Sequence, residues 1–340
     1  MDGSGKLRTG LVGCGSQGSA LAQAIVRSSS LELAACADPD ETAASHAAAL
    51  AANVSTHPSV DSLLAEREVD VIVVATPHHL LAPIALTGLY AGKHVLAEKP
   101  IALNAHEATE IEKQADKAGV CYMAGYSFRY AAGKYIHEML TKGLVGNIRG
   151  MSGSISQVPM DSGWASRPET GGGPLYFVGS HLIDFFCWLS SDTATEVYAN
   201  IGWRSDTGAD EITAFQAKFT KGALVQGLVR QNAPSFGWTL DVQGDAGRLT
   251  AQVAGFTHIE IRVTSDTNAA YAEPTVIRPF VWGDHIEFML VPELEAFAAA
   301  IRDRHPAPIT AADGRRVLSI IDAIFESARS GRPAQIGRLP

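Results

Sequence analysis

The sequence predicts a two-domain protein, in which an α/β domain is followed by an α+β domain with an open, mainly antiparallel sheet. Three observations support this fold class. Strand and helix patterns alternate through the first 125 residues, short β-forming segments then follow one another without helices between them, and 340 residues exceed the usual size of one core. We place the domains at 1–125 and 126–340, with closing helices that are free to pack back on the first domain.

Five apolar, strand-length segments define the sheet of the first domain. They lie at 7–12, 31–37, 69–75, 94–97 and 120–124, and helix-like segments lie between them at 19–27, 41–52, 80–91 and 105–117. Asn104 precedes the last of these helices as a candidate N-cap, with Glu107 three residues later as in a capping box. Strands that alternate with helices indicate a parallel sheet covered on both faces.

The second domain has a different pattern. Helices are predicted at 131–142 and 180–189, followed by β-forming segments at 195–201, 212–219, 223–229, 238–242, 248–253 and 259–263. Turn-forming pairs such as Lys221-Gly222 and Gly244-Asp245 separate these segments, which indicates antiparallel pairing. Two helices at 291–304 and 311–330 close the chain, the second with Thr310 as its N-cap.

Composition and charge exclude several classes of protein. The net charge is −9, with 36 acidic against 27 basic residues and no basic cluster, which argues against a nucleic-acid partner. The apolar segments are too short to span a membrane and the N-terminus lacks a secretory apolar core, so we expect a cytoplasmic protein without a membrane partner. The four cysteines are scattered without a Cys-x-x-Cys pair, so we expect buried thiols and no metal site.

A glycine-rich turn after the first strand predicts a dinucleotide site. The residues are Gly13-Cys14-Gly15-Ser16-Gln17-Gly18, a complete G-x-G-x-x-G between a strand and a helix. Gly13 allows the tight turn, Gly15 lets the backbone approach a pyrophosphate, and Gly18 allows the helix to pack closely on the strand. Free N–H groups and the positive dipole end at the start of the helix favour phosphates. We therefore predict a Rossmann domain.

Asp38 lies at the end of the second strand, twenty residues after Gly18, where it can accept hydrogen bonds from the adenosine ribose. Its carboxylate would repel a 2′-phosphate, and no Arg or Lys follows closely in Ala37-Asp38-Pro39-Asp40. NAD is therefore favoured over NADP. The alternatives are a flavin-binding or nucleotide-free Rossmann fold, or an aspartate that only caps the next helix.

Two further segments supply candidate catalytic side chains. Glu98-Lys99-Pro100 follows the strand at 94–97, and open parallel sheets bind ligands outside the carboxyl ends of their strands, which places Lys99 toward the nicotinamide. Gly171-Gly172-Gly173 precedes a helical segment that carries His181 and Asp184, three residues apart and so on one helix face. The glycine triplet leaves room for a ligand beside the backbone. Taken singly, these residues are also typical of a solvated lysine and a core histidine.

Together the motifs resemble the glucose–fructose oxidoreductase, inositol dehydrogenase and rhizopine-catabolism (Gfo/Idh/MocA) family. The matching segments run in order across nearly the whole chain: 13–18, Asp38, Ala75-Thr76-Pro77, Glu98-Lys99-Pro100, 125–130, Gly171-Gly172-Gly173 with His181 and Asp184, and 313–316. The set is specific for the family and not for one substrate. It implies an open antiparallel C-terminal sheet that often mediates oligomerisation, here as a homodimer or homotetramer, and reversible hydride transfer at a sugar or cyclitol carbon.

The resemblance also implies roles for individual residues. Lys99 is the implied general acid/base or electrostatic partner, while His181 binds the reacting oxygen or relays its proton with support from Asp184. The implied nicotinamide pocket contains Thr76, Pro77, His79 and Glu98. The implied substrate pocket contains Tyr126, Arg129, Trp164, Arg167 and Tyr176 together with His181.

Two positions depart from the family pattern. Phe177 stands four residues before His181, where the family commonly carries an aspartate, and Leu81 stands where Thr-Pro-x-x-x-His would place a histidine. Without that carboxylate, an apolar ring near Lys99 favours the neutral amine and lowers its pKa. A lower pKa of Lys99 either lies closer to the working pH, which aids a general base, or disables the site. The departure also favours a less usual substrate.

We therefore predict an NAD(P)-dependent oxidoreductase that transfers hydride between nicotinamide and a secondary alcohol or ketone of a sugar, cyclitol or related polyol. Two alternatives stay open. An NAD-cycling lyase or glycosidase on the same fold is distinguished by product formation without net NADH. A non-catalytic NAD-binding sensor is favoured by Phe177. The fold alone does not select the substrate, because it supports many chemistries.

Overall fold

The computed structural model describes residues 5–65, 69–159, 163–255, 258–279 and 284–337. By its internal contacts the chain divides into two compact units, Met1–Tyr130 with Asp284–Arg315, and Ala131–Gly283 with Arg316–Pro340. The chain thus returns to its first unit after building most of the second. The domain boundary expected between residues 125 and 126 stays a prediction, because compactness does not show which segments fold independently.

The first unit contains a parallel sheet. Its strands are β1 Leu7–Val12, β2 Leu31–Ala37, β3 Ser55–His57, β4 Val71–Val74, β5 His94–Glu98 and β6 Tyr122–Gly125. They lie in the order β3-β2-β1-β4-β5-β6, and each neighbouring pair is parallel. The strand order reverses between β1 and β4, and the crevice at such a reversal is where open α/β sheets bind ligands. The sequence does not predict β3, because Ser-Thr-His has no apolar pattern.

Within the described residues, five helices connect these strands. They are α1 Ser16–Arg27, α2 Glu41–Ala48, α3 Val60–Leu64, α4 His78–Tyr90 and α5 Ala105–Ala118. The side chain of Asn104 accepts a hydrogen bond from Glu107 N at 2.9 Å, and the Glu107 side chain accepts one from Leu103 N at 3.1 Å. The predicted N-cap of α5 is therefore confirmed, and its glutamate reaches back as in a capping box.

The described strands of the second unit form one open sheet. They are β7 Ile148–Ser156, β8 Ala194–Trp203, β9 Asp210–Phe219, β10 Leu224–Arg230, β11 Gly237–Gly244, β12 Gly247–Ala254, β13 His258–Ser265, β14 Thr275–Ile277 and β15 Ala334–Gln335. Their order is β14-β13-β12-β11-β7-β10-β9-β8-β15. The pairing of β10 with β7 is parallel and the other pairings are antiparallel. The predicted fold class is confirmed.

The central strand β7 has no sequence pattern that predicts it. Its residues are rich in glycine and serine, which have low β-propensity, and it is held by backbone pairing to both β10 and β11. A Cβ at Gly153 would lie 2.7 Å from Leu182 Cδ1 and 2.9 Å from Thr239 O. The glycine therefore lets a helix pack closely on this strand.

The helix that packs on β7 is α7 Ser180–Ser190 of the second unit. The same unit contains α6 Ala132–Thr141. A π-helical turn, Leu175–Gly179, leads directly into α7. Phe185 of α7 packs edge-on against Trp238 with ring centroids 5.4 Å apart, and Phe186 packs against Phe215 at 6.4 Å. These contacts form the core between α7 and the inner face of the sheet.

Two helices close the chain, α8 Val291–Asp303 in the first unit and α9 Ala311–Ser330, which begins there and continues into the second. Thr310 Oγ1 accepts from Asp313 N at 3.3 Å, and the Asp313 carboxylate accepts from Thr310 N at 2.8 Å, which confirms the predicted N-cap of α9. No helix in the described part of the chain combines the length and the hydropathy needed to cross a bilayer.

Candidate active site

The three glycines of the turn after β1 are glycines for different reasons. Gly13 has a φ of 90°, and a Cβ there would lie 2.5 Å from Ala75 O. A Cβ at Gly18 would lie 1.9 Å from Gly13 O, so the turn and α1 close only without side chains at both positions. A Cβ at Gly15 would meet no protein atom within 4 Å, and the residue is exposed. Gly15 is the position at which a ligand can approach the backbone.

The start of α1 has the donors that a pyrophosphate needs. Gly15 is its N-cap and provides no side-chain hydrogen bond, while Ser16 and Gln17 are exposed in its first turn. Helix N-termini without a side-chain cap present free N–H groups to anions. Thr76 Oγ1, after β4, is buried without a hydrogen-bond partner among the described residues. Open space at Gly15 and an unsatisfied hydroxyl at Thr76 both fit a bound dinucleotide.

Asp38 is held beside the glycine turn by the backbone. Its Oδ2 accepts from Cys14 N at 2.7 Å and its Oδ1 from Asp40 N at 2.9 Å. The N-cap of α2 is Asp40, whose side chain accepts from Thr42 N and Ala43 N. The alternative that Asp38 only caps the next helix is therefore wrong. The Asp38 carboxylate is partly exposed and can accept further hydrogen bonds from a ligand.

A hydrogen bond of 2.6 Å from Gln17 Nε2 to Glu98 Oε1 joins the glycine turn to the end of β5. The other oxygen of Glu98 accepts from Lys99 N at 3.2 Å, and the Glu98 side chain is nearly fully buried. Burial raises the pKa of Glu98, while Lys99 and the hydrogen bond from Gln17 oppose this shift. The two motifs that the sequence places 80 residues apart thus meet at one edge of the sheet.

Lys99 follows Glu98 and has only a partly exposed side chain. Burial lowers the pKa of its ammonium, and the negative charge of Glu98 raises it in part. The peptide bond between Lys99 and Pro100 is cis. An amine in this setting loses its proton more readily than a solvated lysine, which is what a general base requires.

The segment after β4 places the remaining residues predicted to contact the cofactor. Pro77 is the N-cap residue of α4, and His79 Nδ1 is buried without a hydrogen-bond partner among the described residues. Leu81 is fully buried in the core of the first unit. Leu81, which stands where the family pattern has a histidine, is therefore a packing residue.

The glycine triplet of the second unit is required mainly by packing. A Cβ at Gly172 would lie 2.5 Å from Arg167 N, and one at Gly173, whose φ is 112°, would lie 2.0 Å from Asp210 Oδ1. All three glycines are buried. The interpretation that the triplet leaves room for a ligand is therefore corrected, since protein atoms occupy that space at Gly172 and Gly173.

Asp210 is a buried residue whose structural role the sequence does not indicate. Its carboxylate is 1% exposed, and its Oδ2 accepts from Leu175 N at 2.9 Å and from Thr213 Oγ1 at 3.3 Å. Burial raises its pKa to about 7, although the hydrogen bonds from Leu175 and Thr213 oppose the shift. Asp210 thus ties the start of β9 to the turn that leads into α7. A lone aspartate at the start of a strand carries no sequence signal for such a role.

The candidate catalytic pair of the second unit lies on α7. His181 and Asp184 are 5% and 1% exposed, near the start of a helix whose other residues are mostly apolar and buried. Phe177, in the preceding π-helical turn, stacks on Trp164 with ring centroids 5.1 Å apart and an interplanar angle of 22°. Where the family pattern has a carboxylate, this chain therefore has one half of an aromatic pair.

The other predicted substrate residues have varied surroundings. Tyr176 lines a cavity of about 580 Å³ in the second unit and packs against Phe325 at 5.7 Å, while Arg167 is exposed. In the first unit Tyr126 is fully buried, and the buried Arg129 forms an ion pair of 3.7 Å with Asp313. Contacts of these side chains with a substrate stay predictions.

A second residue without a sequence signal is Glu293, in the first turn of α8. Its side chain is 0% exposed, and neither carboxyl oxygen has a hydrogen-bond partner among the described residues. In the sequence Val-Pro-Glu-Leu, Glu293 resembles the exposed acidic residues that are common in the first turn of a helix. Its burial is a result of tertiary packing.

Comparisons with known proteins agree with these motifs. Residues 7–126 match the model of an oxidoreductase family with an NAD-binding Rossmann fold, and residues 134–250 match the GFO/IDH/MocA C-terminal domain. The chain is 30% identical to a candidate UDP-kanosamine synthase oxidoreductase subunit of Amycolatopsis mediterranei, over 96% of this chain and 97% of that protein. It is 26% identical to D-xylose 1-dehydrogenase (NADP⁺) 2 of Haloferax volcanii, over 92% and 94%.

A solved structure shares the fold over nearly the whole length. The crystal structure of GenD2 from gentamicin A biosynthesis, in complex with NAD, superposes with a TM-score of 0.86 at 25% identity, covering 98% of this chain and 97% of that one. The family model, the full-length relative and the two folded units agree. The chain belongs to the Gfo/Idh/MocA family of NAD(P)-binding oxidoreductases.

Proposed function

We propose that the protein is an NAD-dependent dehydrogenase or reductase that acts on a secondary alcohol or ketone carbon of a sugar, cyclitol or related polyol. The observation that carries the proposal is the 2.6 Å hydrogen bond between Gln17 and Glu98, which joins the glycine turn to the strand end that carries Lys99. The names of relatives, among them a xylose dehydrogenase, support a substrate of this class.

The preference for NAD rests on Asp38. A carboxylate beside the glycine turn accepts hydrogen bonds from ribose hydroxyls and repels a 2′-phosphate. The relatives differ, since the xylose dehydrogenase is named for NADP⁺ and the GenD2 crystal contains NAD. A ratio of NADH to NADPH affinity well above one, measured by fluorescence titration, is the expected result. A ratio below one would contradict the assignment.

In this proposal the residues of the chain bind the cofactor, orient the substrate and move a proton. The backbone at Gly15 and the first turn of α1 would hold the pyrophosphate, and Thr76 Oγ1 would hydrogen-bond to the dinucleotide. A nicotinamide bound there would supply the hydride acceptor or donor. Lys99 takes the proton of the reacting hydroxyl, and its lowered pKa makes it a more effective base than a solvated lysine. From the family resemblance we assign to His181 the binding of the reacting oxygen or the relay of its proton, with Asp184 in support.

Replacing Lys99 tests the proposal. Lys99→Met keeps most of the length of the side chain and removes the amine, so turnover of a responsive polyol should fall by about 10²-fold or more. NADH affinity, measured by isothermal titration, should stay within a few-fold of wild type. Lys117→Met, an exposed lysine of α5, is the matched control. Turnover that survives in Lys99→Met would remove Lys99 from the mechanism.

The stacking of Phe177 on Trp164 favours a second candidate, an NAD-binding sensor without turnover. An aromatic pair in place of a carboxylate offers no proton acceptor to support His181. A panel of polyols, aldoses and keto-sugars distinguishes the two functions. NADH binding without turnover of any member supports the sensor, whereas net NADH formation supports the dehydrogenase. Product without net NADH would indicate the cofactor-cycling lyase or glycosidase.

A further inference from the structure

A cavity in the second unit has a wall of aromatic rings. Its volume of about 580 Å³ lies within the range typical of small-molecule sites, about 300–1,000 Å³. The ring of Phe325, on α9, lies 5.7 Å from the ring of Tyr176 and 6.0 Å from that of Trp203, with interplanar angles of 37° and 22°. Trp203, at the end of β8, is 40% exposed. An exposed indole beside a cavity offers a flat apolar surface to a ligand ring.

The charged side chains of Asp322, Glu326 and Arg329, all on α9, line the same cavity. Asp322 has a partner within the chain. Glu326 and Arg329 are exposed and stand three residues apart, a spacing at which opposite charges on a helix can pair, yet neither side chain forms a hydrogen bond or an ion pair among the described residues. Arg329 instead places its guanidinium carbon 5.6 Å from the centre of the Phe325 ring. The cavity therefore offers a carboxylate and a guanidinium with free hydrogen-bonding capacity beside an aromatic wall.

The buried lining residues are held in place by the protein itself. Asp210 and Gly172 line the inner part of the cavity, and both are buried. The Asp210 carboxylate accepts hydrogen bonds from Leu175 N at 2.9 Å and from Thr213 Oγ1 at 3.3 Å. These bonds join β9 to the turn that carries Tyr176. The cavity is therefore preformed, as sites for small molecules usually are.

The hydrogen-bonding groups of the cavity select the kind of ligand. A carboxylate only accepts hydrogen bonds and a guanidinium only donates them, whereas a hydroxyl does both. A ring with neighbouring hydroxyls can therefore donate to Glu326 and accept from Arg329 while its C–H face packs on Trp203. An ionic ligand would be attracted by one of the two charged side chains and repelled by the other.

We propose that this cavity is a second binding site, formed by the second unit, for a neutral polyhydroxylated ring of sugar or cyclitol size. Trp203 and Phe325 supply the stacking surface, and Glu326 and Arg329 hydrogen-bond to the hydroxyls. Tyr176, which the family resemblance implies as a substrate residue, belongs to the wall of this site. The described lining residues include none of those assigned to catalysis, so the site can bind a sugar whether or not the protein transfers hydride.

Binding is measured by saturation-transfer NMR on the full-length protein without cofactor, with D-glucose and myo-inositol as probes. Both probes should receive saturation from the wild-type protein. Trp203→Ala should weaken their affinity by about tenfold, because it removes the stacking surface, and Trp203→Tyr should restore most of it. Glu326→Gln should weaken the affinity several-fold, because a charge-assisted hydrogen bond is lost. Glu138→Gln, at an exposed glutamate of α6 in the same unit, is the matched control and should change nothing.

The variant Lys99→Met separates this site from the proposed active site. Binding that survives in Lys99→Met and weakens in Trp203→Ala supports the second site. Binding that is lost in Lys99→Met and unchanged in Trp203→Ala would mean that the probes bind only at the active site, which overturns the second site and leaves the proposed function intact.

Failure of both probes to bind the wild-type protein would also overturn the second site. The same holds if D-glucosamine or adenosine binds and neither neutral polyol does, because the cavity would then select a cation or a nucleobase. Circular dichroism checks that each variant folds. Glu326→Gln, at an exposed position, keeps the measurement decisive if Trp203→Ala does not fold.

Discussion

The three glycines of the turn after β1 differ in what an added methyl group would meet. At Gly18 the methyl would collide with Gly13 O at 1.9 Å, whereas at Gly15 it would meet no protein atom within 4 Å. Gly15 also has a φ of −65°, which alanine adopts without strain. Protein packing therefore explains glycine at position 18 and does not explain it at position 15.

This contrast predicts opposite effects for two alanine substitutions. Gly15→Ala should change the free energy of unfolding by less than about 1 kcal/mol, but should weaken NADH binding by about tenfold or more, since the methyl occupies the approach of the pyrophosphate. Gly18→Ala should destabilise the protein by about 1–3 kcal/mol through overpacking. Thermal melting and fluorescence titration measure the two effects. Unchanged NADH affinity in Gly15→Ala would show that the ligand binds elsewhere.

At the scale of elements, Asp210 connects β9 with the turn before α7. Its Oδ2 holds Leu175 N, and its Oδ1 lies against Gly173, where no side chain fits. The segment that carries Tyr176, Phe177 and His181 is therefore anchored by one buried carboxylate. This contact joins two segments that lie 35 residues apart in the sequence, so the carboxylate is the natural point at which to test the arrangement.

The pKa of Asp210 predicts a specific pH dependence of stability. Its folded-state pKa is about 7 against an ordinary value of 3.8, so the folded protein binds this proton more tightly than the unfolded chain. The contribution of this proton to the free energy of unfolding is complete below the pKa of the unfolded chain and is lost as pH rises through the pKa of the folded protein. The loss amounts to about 4 kcal/mol between pH 4 and 7.

Asp210→Asn removes this titration while keeping an oxygen for Leu175 N. The variant should therefore melt at a higher temperature than wild type at pH 8, and the difference should shrink toward zero at pH 4. Thermal melting by circular dichroism across this range measures it. A constant difference between the two proteins at all pH values would show that Asp210 does not titrate as described. Asp206→Asn, an exposed aspartate, is the control.

At the scale of the whole molecule, one face of the nine-stranded sheet is exposed. Residues of β10 alternate between exposed and buried, and the exposed set includes Leu224 at 61% and Leu228 at 38%, with Ile212 of β9 at 42% on the same face. Apolar side chains grouped on an open sheet are typical of an interaction surface. We propose that this face joins copies of the chain into a homodimer or homotetramer. Residence in the cytoplasm stays a prediction.

Charges on that face should dissociate the assembly. Leu224→Glu combined with Leu228→Glu places like charges opposite one another across the interface, so the mass in solution should fall to that of one chain, 36.0 kDa. Light scattering after gel filtration measures it. Tyr90→Glu, at an exposed residue of α4 in the first unit, is the control and should leave the mass unchanged. An unchanged mass in the double variant would place the interface elsewhere.

Most regular elements were predictable because their residues follow a local period. The strands of the first sheet differ from expectation by a few residues at their ends, and α9 matches its predicted bounds. The exceptions are the short helix α3, the short strands β3, β14 and β15, and β7, whose glycines and serines carry no strand pattern. These strands form because neighbouring strands supply hydrogen bonds, and such long-range pairing leaves no period in the strand itself.

By itself the sequence determined the order of most helices and strands, the glycine turn, Asp38, the Glu-Lys-Pro strand end and the family, since each depends on residue types at short spacing. Only the tertiary structure decided that Gln17 reaches Glu98, that Asp210 occupies the space beside Gly173, and that Glu293 is buried with no hydrogen-bond donor among the described residues. The physical reason is that the charge state of a buried group depends on the donors and charges around it. Folding brings those groups together from distant parts of the chain.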